Sequence, residues 1–244
     1  MHRWGWAAVG LLSLPLQGQL VALAQGVDPA AGLRLDPAHY RAVVGRPPAP
    51  GSTALADDLA VLRWNQRTRY PEAVVHTWRF VHRDLSSFDA AIGADLSKTA
   101  PQLFKGLPAF LSPIDRVKDA LKEEIARPRP YVSDPELKPC LPLESSYAYP
   151  SGHAAWYASA SLLLADLLPE RRERLLQVGR QGGFARSYCL VHYPSDVLAS
   201  QRLAEAISRD VIASPQWQAF KQRLAPERRD LLVMPPAGLP LLTD

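Results

Sequence analysis

Arg186, His192 and Asp196 fall within eleven residues near the carboxyl end, Arg-Ser-Tyr-Cys-Leu-Val-His-Tyr-Pro-Ser-Asp, and their types suit chemistry on a phosphorylated molecule. A guanidinium presents a planar fork of donors that matches phosphate oxygens. A neutral imidazole is nucleophilic, and a carboxylate on one ring nitrogen leaves the other free to attack. The three read as anion clamp, nucleophile and orienter. The same spacing also suits a solvated helix face, so this segment does not decide the matter alone.

Upstream, Pro150-Ser151-Gly152-His153 closes a proline-rich loop and opens an apolar helix, Ala154–Leu168. Free backbone N–H groups and the positive dipole end make such a helix start an anion site. His153, in the first turn, could donate a proton to an oxygen leaving the bound anion. A plain N-cap accounts for Ser151 but does not ask for Gly152 and His153. Farther upstream, Lys122 lies in the last turns of a helix, with Arg127 and Arg129 just beyond it. These cations either complement the helix dipole and snorkel, or form a second set of phosphate donors.

The elements that must position these residues read as helices. Leu55, Leu59 and Leu62 recur at helical spacing, as do Val74, Val75, Trp78 and Val81. Two shorter amphipathic stretches follow at 88–96 and 103–111. Ser112-Pro113 reads as an N-cap and first helical residue, with Ile114, Val117, Leu121 and Ile125 on the buried face of a helix ending near Ala126. Residues 131–149 read as a loop. Pro169 opens a charged helix running through Gly182-Gly183 to Arg186. Pro194 opens another, carrying Val197, Leu198, Leu203, Ile207 and Val211, with Asp196 in its first turn. A last amphipathic helix is expected around 217–224. His76 and His82 lack neighbouring ligand partners and read as structural. No stretch alternates like a strand.

These features predict an all-α protein, a single-domain helical bundle. The expected division is a signal peptide over 1–24, an extended arm over 25–53, a helical domain over 54–225 and a tail over 226–244. Arg3, the apolar run from Trp4 to Leu16 and the small residues of Ala22-Leu23-Ala24 carry the export reading, which places the protein in the periplasm or outside the cell. The chain has 244 residues, a net charge of +4 and 47% hydrophobic residues, enough for a packed core and against disorder. No dense basic run points to nucleic acid. No apolar stretch of about eighteen residues follows the leader, so no integral span is expected. Cys140 and Cys189 are the only cysteines, and in an exported protein they read as a disulfide.

Together, Lys122, six residues, Arg129-Pro130; then Pro150-Ser151-Gly152-His153; then Arg186, five residues, His192, three residues, Asp196 form an ordered triple. It resembles the signature of the phosphatidic acid phosphatase type 2 and vanadium haloperoxidase superfamily, which includes membrane lipid phosphate phosphatases. Within it the likeness is greatest to bacterial class A non-specific acid phosphatases, over most of residues 54–225 and including both cysteines. The resemblance implies a helical bundle of that type and hydrolysis of small phosphate monoesters. Lys122, Arg129, Ser151, Gly152 and Arg186 would hold the phosphoryl group. His192 would form a phosphohistidine, Asp196 would fix its ring, and His153 would act as general acid and then base. It implies no metal and no cofactor, and it admits phosphate transfer to alcohols. A homodimer or larger homo-oligomer stays open. Two positions depart from the pattern: Ala185 where serine is usual, and Leu190 where glycine often stands. The alternatives are a vanadate-dependent haloperoxidase, opposed by the short chain, and a non-catalytic phosphate-binding protein, opposed by the intact His153, His192 and Asp196.

Overall fold

The computed structural model describes residues 28–233, and among them it is helical without a strand. The signal peptide expected over 1–24 lies outside the described residues, as does 234–244 of the expected tail.

The stretch read as an extended arm contains a helix, α1 (Pro37–Val44). Asp36 caps it by accepting the Ala38 N–H, and Pro37 supplies the preset first-turn φ. Two turns do not persist alone in water. Burial of Tyr40 and Val44 holds them, together with the Tyr40 hydroxyl donating to Asp210 at 2.6 Å. Helix α2 (Thr53–Thr68) starts on a Ser52 cap, and α3 (Pro71–Trp78) starts on a proline.

Short turns at Leu85–Phe88, Asp89–Ile92 and Leu96–Thr99 lead into α4 (Pro101–Ile125). This helix corrects the expected start at Ser112-Pro113, because both residues lie inside one continuous helix, as does Pro108. An interior proline costs roughly 3 kcal/mol. Leu103, Leu107, Phe110, Ile114, Val117 and Leu121 form one buried face across both prolines, each worth about 1.5–3 kcal/mol. Packing outweighs the breaks. Ser112 does not cap; its Oγ accepts from Arg116 Nη1 at 2.9 Å. The helix stops at Ala126, whose φ of 50° is left-handed, and Arg127 and Arg129 emerge from it there.

Helix α5 (Gly152–Leu167) is apolar and buried around most of its circumference, which suits a helix at the centre of a bundle. Helices α4, α6 (Arg172–Tyr188) and α7 (Pro194–Ala213) pack around it. Helix α6 approaches closely because Gly179 faces Ser161 and Gly182 faces the Tyr157 ring; a Cβ at either would overlap its neighbour. Helices α8 (Pro215–Arg223) and α9 (Ala225–Leu232) follow, the second lying in the stretch read as tail. Trp217 and Phe220 meet Phe110 with ring centroids 5.1 and 5.2 Å apart. A Cys140–Cys189 disulfide joins the loop before α5 to the residue that ends α6. Among the described residues, no helix is long and apolar enough to cross a membrane.

Candidate active site

The starts of α5 and α7, the end of α6 and the segment after α4 converge on His192. Pro194 begins α7 and puts Asp196 in its first turn, where Oδ2 accepts the Tyr193 N–H at 2.9 Å and lies 3.3 Å from His192 Nδ1. On the other side of the ring, Nε2 lies 2.9 Å from Arg129 Nη1. A guanidinium only donates, so Nε2 carries the lone pair and Nδ1 the hydrogen. Burial, then Arg129, Lys122 and Arg186, push the His192 pKa well below the usual imidazole value. The ring is therefore neutral, with its free lone pair on the cationic side of the site.

Arg129 spends its donors on the Ser146 carbonyl at 2.7 Å, the Val191 carbonyl at 2.8 Å, His192, Ser146 Oγ and Glu144. Arg186 reaches Glu144 from the last turn of α6, and its Nε is buried with no hydrogen-bond partner. Lys122 donates to the Tyr147 carbonyl at 2.6 Å. Burial foremost, then Arg129 and Lys118, bring Lys122 down to about 7. Ser151 caps α5 by accepting the Ala154 N–H at 3.4 Å, which leaves the first-turn N–H of Gly152 available.

His153 sits on the first turn of α5. Its Nε2 lies 3.1 Å from the Val81 carbonyl. A carbonyl only accepts, so that nitrogen holds hydrogen and Nδ1 is left to exchange a proton; it lies 3.8 Å from Glu144 Oε1. Burial and Arg186 bring His153 down to about 4. All eight residues singled out by type and spacing, from Lys122 to Asp196, thus lie around one site.

Four further residues carry no spacing signal. Glu144, in the loop before α5, accepts from Arg129 Nη2 at 2.6 Å and from Arg186 Nη2. Arg127, two residues before the motif arginine, donates to Asp196 Oδ1 at 2.5 Å. Asp58 on α2 pairs with Arg127 at 3.2 Å. Lys118 is buried next to Gly152, its Nζ 3.5 Å from where a Cβ would stand there. Among the described residues, no group of three or more His, Cys, Asp or Glu side chains is placed to hold a metal ion.

The two departures also acquire a setting. Leu190 has a left-handed φ of 63°, which accounts for glycine being usual there. Its side chain offsets the strain by packing with Leu62, Leu137 and Tyr193. Ala185 is buried on α6, one residue before Arg186.

Residues 110–219, which include the eight motif residues, match the PAP2 superfamily model. Over that stretch the chain is similar to the PAP2 superfamily. Among curated proteins, it is 28% identical over 148 residues to a non-specific acid phosphatase of Providencia stuartii, covering 58% of this chain and 60% of that protein. It is 29% identical over 151 residues to one of Salmonella typhimurium, covering 59% of each. The chain thus spans about three fifths of the length of these relatives. An acid phosphatase of Zymomonas mobilis is 28% identical over 238 residues, covering 91% of this chain and 86% of that one. A crystal structure of a transmembrane PAP2 type phosphatidylglycerolphosphate phosphatase from Bacillus subtilis shares the fold, with a TM-score of 0.51 and 22% identity, over 71% of this chain and 89% of that one. The PAP2 resemblance read from the three motifs therefore stands, and its class A acid phosphatase form is supported by the named relatives.

Proposed function

We propose that the chain is an exported acid phosphatase that hydrolyses small phosphate monoesters through a phosphohistidine on His192. The observation that carries this is the fixed tautomer of His192: Nδ1–H on Asp196 and the Nε2 lone pair directed at Arg129. In the reaction, the phosphoryl oxygens take over donors of Arg129 and Arg186 and are met by Lys122 and the Gly152 N–H, with Ser151 at the rim. Nε2 attacks phosphorus, the bond to the ester oxygen breaks, and His153 gives that oxygen its proton. His153, now neutral, takes a proton from water as the water oxygen attacks phosphorus. The P–N bond breaks, phosphate leaves and His192 returns to its starting state. An alcohol in place of water would give phosphate transfer by the same step.

The cationic side chains stabilise the charge on the transferring group, the largest contribution such a site makes. A dianion arriving beside His153 supplies the counter-charge that raises its pKa and loads it as an acid. The disulfide suits an oxidising compartment, which supports export to the periplasm or beyond. The test is an alkaline detergent quench of the protein with radiolabelled p-nitrophenyl phosphate. An acid-labile, base-stable label on the wild type and none on His192→Ala is expected; turnover by His192→Ala would end the proposal.

A further inference from the structure

Helix α2 lies outside the stretch matched to the PAP2 domain, yet Asp58 on it reaches the back of the site. We propose that Asp58 is a positioning residue for the reaction: through Arg127 and Ser195 it fixes the Asp196 carboxylate, and so the plane and charge of the His192 ring. The inference rests on reading His192 as the nucleophile.

Asp196 has no exposure, so its charge depends wholly on protein partners. It has the Tyr193 N–H at 2.9 Å, His192 Nδ1 at 3.3 Å and Arg127 Nη1 at 2.5 Å. Of these, Arg127 is the cation, and it is buried in turn. Its guanidinium lies over the Tyr193 ring, 3.7 Å from the centroid, and its Nη2 donates to Asp58 Oδ2 at 3.2 Å. A guanidinium tied to one carboxylate can pivot about that bond. A second carboxylate on the opposite edge, with an aromatic ring beneath, sets its plane.

Asp58 also grips the other side of the same joint. Its Oδ1 accepts the Ser195 N–H at 2.9 Å, and its Oδ2 accepts the Ser195 hydroxyl. Ser195 stands in the first turn of α7, where N–H groups have no partner within the helix. Asp58 therefore caps from outside the helix that carries Asp196, at the adjacent residue, while holding the cation that pairs with Asp196. The two carboxylates leave one net negative charge behind the imidazole. That charge is complementary to the positive ring formed when Nε2 takes the phosphoryl group and Nδ1 keeps its hydrogen.

A double-mutant cycle on the full chain tests this, because a cap that merely supports the fold would not act through Asp196. Rates are measured with p-nitrophenyl phosphate, at saturation for the wild type and with enzyme in excess for weak variants. Asp58→Asn should lower kcat by about tenfold, with KM changed less than about twofold, as expected for misplacement of a reacting group. In an Asp196→Asn background the same change should cost less than about twofold. Losses that multiply in full, or a wild-type kcat for Asp58→Asn, would overturn the inference. His192→Ala is run alongside. If it is inactive while the cycle is additive, the Asp58 role alone falls; if it turns over normally, the nucleophile reading falls and takes this inference with it. Should Asp58→Asn not fold, Arg127→Lys in the same cycle probes the same coupling, with the same outcomes supporting or overturning it.

Discussion

Glu144 Oε2 accepts from Arg129 Nη2 at 2.6 Å, so a carboxylate of the protein itself occupies the space between the arginines that would hold a phosphoryl group. Its other oxygen meets Arg186 and lies 3.8 Å from His153 Nδ1. Glu144 stays ionised: burial opposes its charge, but Arg186, Arg129 and His153 outweigh it and hold the carboxyl below its usual value. An incoming phosphate must displace this group, which is partly exposed. Glu144→Gln should therefore lower the competitive inhibition constant of inorganic phosphate by about tenfold, which is about 1.4 kcal/mol. A higher constant would mean that Glu144 holds the arginines in place more than it competes for them.

The acid role proposed for His153 Nδ1 has a matching test. An alkoxide leaves poorly without a proton, whereas p-nitrophenolate hardly needs one. His153→Ala should slow formation of the phosphoenzyme from an alkyl phosphate by about 10²–10⁴-fold, and slow the same step with p-nitrophenyl phosphate far less. Rapid-quench measurement of that step separates it from the hydrolysis that follows. Equal losses would remove His153 from the acid role.

Lys122 couples anion binding to pH. Its folded pKa of about 7 is depressed, mainly by burial. Its contribution to stability is therefore complete above the unfolded value of about 10.4 and is lost as pH falls through about 7. Asp196 acts oppositely: burial raises it to about 6, so its contribution is present below about 3.9 and lost as pH rises through about 6. Sulfate stays a dianion over this range and restores a partner to Lys122. Its increase in Tm should be larger at about pH 6 than at about pH 8, and Lys122→Met should remove the difference.

Leu190 carries two opposed effects of known size. A left-handed φ costs a side-chain-bearing residue about 1–2 kcal/mol, and removal of a buried leucine costs about 2–5 kcal/mol. Leu190 is fully buried, so burial wins. Leu190→Gly should lower stability by about 1–3 kcal/mol in urea denaturation, although glycine suits the backbone better. A gain in stability would show that the strain is the larger effect.

The chemistry-bearing half of the site is legible in the sequence because it follows helix punctuation. Ser151 caps α5, Pro194 starts α7, and those two rules place Gly152, His153 and Asp196 on first turns. Arg127 was visible as a cation beyond a helix end, and its partner was not, since Asp196 and Asp58 come near it only through folding. Asp58 sits among the polar positions of an amphipathic helix, with nothing local to separate it from a solvated carboxylate. Glu144 lies in an aperiodic loop, where spacing says nothing about direction. The uninterrupted course of α4 was illegible for another reason: local proline rules predict a break at Ser112-Pro113, and burial of a face running from Leu103 to Leu121 overrides them.

The Cys140–Cys189 bridge encloses the loop bearing Glu144 and the whole of α5 and α6. A protease that cuts once anywhere inside that span would leave two pieces still fastened together. Such a nicked sample would migrate as a single full-length species on a denaturing gel and split only when a thiol is added, so purity judged without reductant would overstate how much of the polypeptide is intact.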